Sequence, residues 1–222
     1  MAESGTPTFY PVILEEVRRE HGDVCTYAFR PEQPLAFQAG QHVHLSAPGV
    51  EVSKPMVRHM SVASAPGDPL LQFSMDLSSH SDYKEAFRRA QPGQTSQIFK
   101  IGGAFTVEPG EAQPLVFIAG GIGITPFRAL IRHLEQTGRP RAWTLLHVSR
   151  DAFLYQEELS CLPFPQVRVG RPQVEGQLER LVAESPLARY YLCGSKNFLE
   201  GLYRAIQALG IPEGHIKTED FR

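Results

Sequence analysis

Between residues 71 and 77 apolar and polar positions alternate. Leu71, Phe73, Met75 and Leu77 are separated by Gln72, Ser74 and Asp76, the period of two that a half-buried strand requires. Val43, Leu45 and Ala47 alternate in the same way with His42, His44 and Ser46. Shorter strand-like runs near Phe9–Val17, Val24–Phe29 and Ser96–Ile101 are divided by Pro/Gly turns at irregular spacing. Short strands so divided predict a small antiparallel barrel. One helix interrupts them, with Asp82 as its cap, Glu85 three residues on, and Pro92-Gly93 at its end.

The period then changes. Strand-like apolar runs at Leu115–Ile118, Ala142–Val148, Gln166–Val169, Tyr190–Cys193 and His215–Lys217 alternate with helical stretches. In the last helix Ser195 is placed to cap, Leu199, Leu202, Ile206 and Leu209 form the apolar stripe, and Gly210 with Pro212 stops the chain. Strands alternating with helices predict a parallel sheet with helices on both faces. The polar Pro/Gly stretch 108–114 separates the two patterns. The expected architecture is therefore two-domain: an antiparallel β-barrel over residues 1–110, then an α/β parallel-sheet domain over residues 111–222.

At the first α/β strand the chain runs through Ala119-Gly120-Gly121-Ile122-Gly123-Ile124-Thr125-Pro126-Phe127. Phe127, Leu130, Ile131 and Leu134 follow at i, i+3, i+4 and i+7, the stripe of a helix packed on a core. A strand passing through glycines into a helix start turns backbone N–H groups and the positive helix end toward a bound anion, most commonly a nucleotide pyrophosphate. The pattern is not G-x-G-x-x-G, because Pro126 stands in place of the last glycine. Proline suits the first turn of a helix, where no N–H is needed. By itself the run also fits a tight strand-to-helix turn with no ligand.

Composition narrows the classes. Lys and Arg total 22 against 24 Asp and Glu, a net charge of −2, without the basic excess of a nucleic-acid binder. The start, Met1-Ala2-Glu3-Ser4-Gly5-Thr6-Pro7, has neither a basic region nor an apolar run, so a signal peptide is not expected. No stretch approaches the ~20 apolar residues of a membrane span. Cys25, Cys161 and Cys193 are widely separated and have no iron–sulfur spacing. A reducing cytoplasm is the expected compartment.

Arg58-His59-Met60-Ser61-Val62-Ala63-Ser64 resembles the R-x-Y-S-x-x-S signature of the ferredoxin–NADP reductase-like flavoproteins, and Gly121–Phe127 resembles their G-x-G-I-x-P-F nucleotide loop. Tyr191-Leu192-Cys193-Gly194 is similar to the strand-end C-G of the same family, and Lys217-Thr218-Glu219-Asp220-Phe221 to its acidic and aromatic chain end. The four matches occur in the family's order. The resemblance implies an FAD-binding barrel followed by a domain for NAD(P)H, and a reductase that moves hydride from nicotinamide C4 to flavin N5.

It also implies roles for particular residues. Arg58 would meet the FAD pyrophosphate with its bidentate fork, and Ser61 would lie near flavin N5. His59 and Met60 belong to the same segment. Met60 departs from the family's aromatic residue, and a thioether can pack on a ring without the phenol hydrogen bond. Ser74, Met75 and Asp76 end the strand that lines the flavin tail in relatives. Ser81, Tyr83 and Lys84 open the helix whose start faces the pyrophosphate, although a cap and a packing aromatic explain Ser81 and Tyr83 equally well. His42, His44 and His59 read as solvent-facing strand histidines rather than a metal site.

On the nicotinamide side, Gly121, Gly123 and Thr125 would form the loop under the coenzyme pyrophosphate. Cys193 and Gly194 would meet the nicotinamide, the alternative for Cys193 being a small core residue. Ser149 and Arg150 follow the second α/β strand, where such folds read the ribose. Arg150 suits a 2′-phosphate, although Asp151 beside it mixes the signal. With Tyr155 at the adenosine end, the lean is to NADPH. Glu219 would complete the polar side of the site, and Phe221 would either cover the flavin or anchor the chain end. Catalytic roles thus fall to Ser61, Cys193 and Glu219. The electron acceptor is expected to be a separate partner: ferredoxin, flavodoxin, an oxygenase component or a small molecule. The alternative is a non-enzymatic flavin- or nucleotide-binding module of a larger complex or sensor.

Overall fold

The computed structural model describes residues 8–50, 56–108, 110, 112–138 and 141–220. The chain divides into two compact units, Met1–Ala104 and Phe105–Arg222.

The first unit contains strands β1 (Tyr10–His21), β2 (Val24–Pro31), β3 (His42–Ser46), β4 (Val57–Ser61), β5 (Leu71–Asp76) and β6 (Thr95–Gly102), with helix α1 (Asp82–Arg88) between β5 and β6. They form one sheet in the order β4-β3-β6-β1-β2-β5. Every pairing in it is antiparallel. Beyond β4, the Ala63 N–H donates to the Gln72 carbonyl (2.8 Å) and the Gln72 N–H to Ser64 Oγ (3.1 Å). Ser64, the second serine of the R-x-x-S-x-x-S run, therefore ties the two edges of the curled sheet together. The inward-facing residues of the alternating strands, including Val43, Leu45, Leu71, Phe73 and Met75, make the core with Phe29, Tyr83 and Phe87. Both buried tyrosine hydroxyls find backbone partners: Tyr27 donates to the Phe87 carbonyl (3.0 Å) and Tyr83 to the Leu45 carbonyl (3.2 Å).

The cap of α1 corrects one expectation. Ser81, not Asp82, has the extended cap backbone, and its Oγ accepts the Lys84 N–H at 3.4 Å. Two cap-competent residues stand side by side, and the capping bond falls to the first. Glu85 instead meets His80 Nδ1 (2.9 Å) and Arg88 Nε (3.4 Å).

The second unit contains β7 (Leu115–Gly120), α2 (Thr125–Gln136), β8 (Trp143–Val148), α3 (Gln156–Ser160), β9 (Gln166–Val169), α4 (Val174–Glu184), β10 (Arg189–Gly194), α5 (Lys196–Ala208) and β11 (Ile216–Asp220). Its sheet runs β11-β10-β7-β8-β9, with every pair parallel. Counted from its own first strand this is the doubly wound order 3-2-1-4-5 read from β9, which reverses between β7 and β10. α4 and α5 cover Val116, Ile118, Leu146, Tyr190 and Leu192 on one face. On the other, Phe127 of α2 meets Phe117 (centroids 5.1 Å apart), and Phe117 meets Tyr191 (5.8 Å) and Trp143 (6.3 Å).

Phe105 packs on Phe127 (5.5 Å) and Tyr191 (5.3 Å), and the Thr106 carbonyl accepts from the Tyr191 hydroxyl (3.0 Å) and Lys217 Nζ (2.9 Å). These contacts bind the segment before the Pro/Gly stretch to the second unit. In α5, Ser195 is the cap residue by backbone but makes no side-chain capping bond. Leu209 follows the last helical residue and is 38% exposed, so the stripe consists of Leu199, Leu202 and Ile206. Gly210 closes the helix at φ +94°, a backbone that L side chains adopt only with strain. Among the described residues no helix is long and apolar enough to cross a membrane.

Candidate functional site

Strand alternation separates the residues of β4. Arg58 is paired with Leu45 and Met60 with Val43 in the β3/β4 register, which puts both on the side of the sheet that holds the core. Met60 is half-buried against that core. The exposed Arg58 guanidinium lies over the Tyr83 ring at 5.5 Å, and its Nη1 donates to the Val57 carbonyl at 2.9 Å. Arg58 is thereby held beside the first turn of α1, where backbone N–H groups lack helical acceptors. Burial pushes the Tyr83 hydroxyl pKa far up, so the ring stays neutral under the cation. A guanidinium with free fork positions next to a helix start fits a diphosphate.

His59 lies on the other face. It stacks on His42 (5.3 Å, 10° between planes) and meets His44 at 4.0 Å, while His44 meets Phe99 at 5.1 Å. Burial and then the charges of His59, Lys100 and His42 lower the His44 pKa. Among the described residues no three His, Cys, Asp or Glu side chains are placed to hold a metal ion.

Ser61 is buried at the end of β4. On β5, the buried Ser74 hydroxyl shares a hydrogen bond with Thr26 Oγ1 (2.6 Å), and Met75 is in the core. The neighbouring Asp76 accepts from the Ser78 N–H at 2.8 Å. Burial raises its carboxyl pKa, but the Ser78 hydrogen bonds and the charges of Lys84 and His21 outweigh that and leave it low. Ser81, Tyr83 and Lys84 are all at the α1 start, as the first-turn reading requires.

In the second unit the candidate residues gather where the strand order reverses. After β7 the chain makes a single 3₁₀ turn, Gly121–Ile124, and enters α2 with Pro126 in its first turn. Gly121 has φ +54°. Gly123 lies so close to the end of β10 that a Cβ there would sit 2.3 Å from the Cys193 carbonyl oxygen. Gly120 and Gly194 make room for the Phe198 ring, which a Cβ on either would meet at 2.6 or 2.7 Å. Thr125 is buried and its hydroxyl donates to the Ile122 carbonyl at 2.6 Å, so this group shapes the loop.

Cys193 is fully buried and pairs in register with Ala119 on one side and Glu219 on the other. Burial, then the charges of Glu219 and Asp220, raise its thiol pKa well above the ordinary value. It is a neutral thiol at physiological pH, suited to contact rather than nucleophilic chemistry.

Ser149 follows β8, its N–H on the Val169 carbonyl (3.1 Å), and Arg150 is exposed. Tyr155 caps α3 with a left-handed backbone, φ +62°. Phe221 lies outside the described residues.

Three residues that the sequence reading did not single out shape this region. Arg128 is buried on α2, its guanidinium 4.9 Å from the Tyr155 ring and its Nε 2.7 Å from Glu158 Oε2. Arg132 meets the other oxygen of Glu158 at 3.1 Å. Two arginines at i and i+4 on one helix repel each other unless an acid intervenes, and that spacing was the available signal. His147, buried in β8, hydrogen-bonds the Gly121 carbonyl through Nε2 at 2.9 Å.

No family model matches the chain. Among curated proteins it is similar to ferredoxin–NADP reductase B of Sorangium cellulosum, with 29% identity over 212 residues, 83% of this chain and 85% of that protein. It is also similar to a flavohemoprotein of Bacillus subtilis, with 24% identity over 98% of this chain but only 60% of that protein's length. Among solved structures, a ferredoxin NADP+ reductase from Neisseria gonorrhoeae with bound FAD and NADP superposes with a TM-score of 0.81 at 19% identity, covering 96% of this chain and 98% of that one. In sequence and in fold the chain is similar to the ferredoxin–NADP reductase-like flavoproteins. Its two units are that family's two-domain fold, a curled antiparallel sheet and a parallel sheet with helices. The family's signature segments thus coincide with the Arg58–α1 corner and the β7/β10 switch point.

Proposed function

We propose that the chain is an FAD-dependent oxidoreductase that accepts hydride from NAD(P)H and passes electrons to a separate acceptor. The observation that carries this reading is the switch point, where the Gly121–Ile124 turn packs on the Cys193 carbonyl with no room for a side chain at Gly123. Ligands of doubly wound sheets bind outside the strand ends at such a reversal. Bound FAD supplies the conversion of a two-electron donor into single-electron release.

The residues of this chain bind and orient. Arg58 and the α1 start hold the FAD diphosphate, and Ser61 hydrogen-bonds near the flavin ring. His59 contributes its backbone only, because its side chain belongs to the imidazole cluster. Backbone groups of Ser74 and Met75, with Asp76, line the flavin tail. Gly121, Gly123 and Thr125 shape the cradle for the coenzyme pyrophosphate. Cys193 and Gly194 orient the nicotinamide and keep water from it, and Glu219 supplies the polar side of the site. The acceptor is a separate ferredoxin, flavodoxin, oxygenase component or small molecule, and the name of the Sorangium relative supports a ferredoxin. The free thiols at Cys25, Cys161 and Cys193 suit a reducing cytoplasm.

Cys193→Ala is expected to slow flavin reduction in stopped flow while the flavin spectrum stays unchanged. If only thermal stability falls, Cys193 is core filling. NADPH is the favoured coenzyme, with Ser149, Arg150 and Tyr155 at its adenosine end. In a steady-state assay with an artificial acceptor, Arg150→Ala should raise KM for NADPH much more than for NADH, because a guanidinium is matched to the 2′-phosphate. Equal changes, or a wild type that prefers NADH, would overturn the NADPH assignment. A wild type that oxidises neither coenzyme would overturn the activity.

A further inference from the structure

The nucleotide turn is fastened on both sides. Toward β10 it packs on the Cys193 carbonyl. Toward β8 it is held by the side chain of His147, which pairs in register with Ala119 two residues before Gly121. The imidazole is 1% exposed, and its Nε2 lies 2.9 Å from the Gly121 carbonyl oxygen. A carbonyl only accepts, so Nε2 carries the proton. The same ring stands edge-on to Phe153 (5.2 Å, 75°), in the segment that begins with Ser149 and Arg150. One buried side chain thus touches two of the stretches of chain that the proposed function assigns to the coenzyme.

We infer that His147 is a positioning residue for nicotinamide-nucleotide binding, acting by fixing the Gly121–Ile122 peptide plane. In a planar trans peptide the N–H points opposite to the C=O. Holding the Gly121 carbonyl toward β8 therefore directs the Ile122 N–H away from it. The first N–H groups of a helical turn have no acceptor within the turn, so this donor is available to an anion. Gly121 is at φ +54°, a region where glycine alone moves freely. Without the His147 bond, this hinge would be least restrained at the point where the pyrophosphate is bound.

The inference rests on the proposed coenzyme site and is tested against it with FAD-loaded protein. Dissociation constants for NADP+ and KM for NADPH are measured for wild type, His147→Gln, His147→Leu and His147→Asn. Glutamine places an amide donor at the reach of Nε2, leucine fills the space without a donor, and asparagine keeps an amide that falls short.

The expected result is near-wild-type binding in His147→Gln and a weakening of about tenfold in His147→Leu and His147→Asn, the scale of an unmade buried hydrogen bond. The effect should fall on Kd and KM, with little change in the flavin reduction rate at saturating NADPH. If leucine prevents folding, the Gln/Asn contrast decides alone. Equal affinities in all variants with only a lowered Tm would overturn the inference, as would a glutamine variant as weak as asparagine. A wild type that does not bind NADP+ would instead overturn the coenzyme site itself.

Discussion

Replacing Gly123 by alanine is expected to abolish most NAD(P)H-dependent flavin reduction while leaving FAD bound. The added methyl would lie 2.3 Å from the Cys193 oxygen, 2.7 Å from its carbonyl carbon and 3.0 Å from the Gly194 nitrogen. All three are backbone atoms at the end of β10, a strand paired on both sides by β7 and β11, so they cannot swing aside as a side-chain tip would. Either the turn lifts off β10 or β10 shifts, and each moves the loop that must meet the coenzyme. Overpacking of this kind costs roughly 1–3 kcal/mol, which a domain can survive. The loss should therefore appear in coenzyme affinity, measured by NADP+ titration, more than in Tm. Wild-type affinity in a folded Gly123→Ala protein would show that the turn does not carry the coenzyme.

A second large effect belongs to the first unit. Arg58→Ala should weaken FAD retention roughly ten- to hundredfold, since a hydrogen bond to a charged group contributes about 1.5–3 kcal/mol. The guanidinium is exposed, and its hydrogen bond among the described residues goes to its neighbour Val57, so Tm of the apoprotein should hardly move. Arg58→Lys keeps the charge but not the planar fork and should fall between the two. Equilibrium dialysis of FAD distinguishes the three proteins. Undiminished occupancy on dilution of Arg58→Ala, or FMN as the extracted cofactor, would contradict the assignment.

Residues 71–77 and 42–47 announced their strands because one face is core and the other is not. The glycine run announced its place because strand periodicity stops and helical periodicity starts within it. Contacts set by strand register were not legible. His42 and His44 share a face by alternation, but only the β3/β4 register brings His59 onto them. The tie between Ser64 and Gln72 depends on how far the sheet curls. His147 did carry a signal, a lone polar residue within Leu145-Leu146-His147-Val148. A buried imidazole needs a hydrogen-bond partner, yet nothing in the sequence says that the partner is Gly121. The chemistry of Thr125 was equally hidden, because a hydroxyl at a helix start can face a ligand or the preceding carbonyl.

The proposed activity requires this chain to hold FAD and to take hydride from a nicotinamide nucleotide. An anaerobic titration of the purified, FAD-loaded protein with NADPH and then NADH, followed by flavin absorption, tests it most directly. The flavin is expected to bleach with stoichiometric coenzyme, with NADPH acting at the lower concentration. A protein that retains no FAD, or whose flavin stays oxidised with both coenzymes, would contradict it.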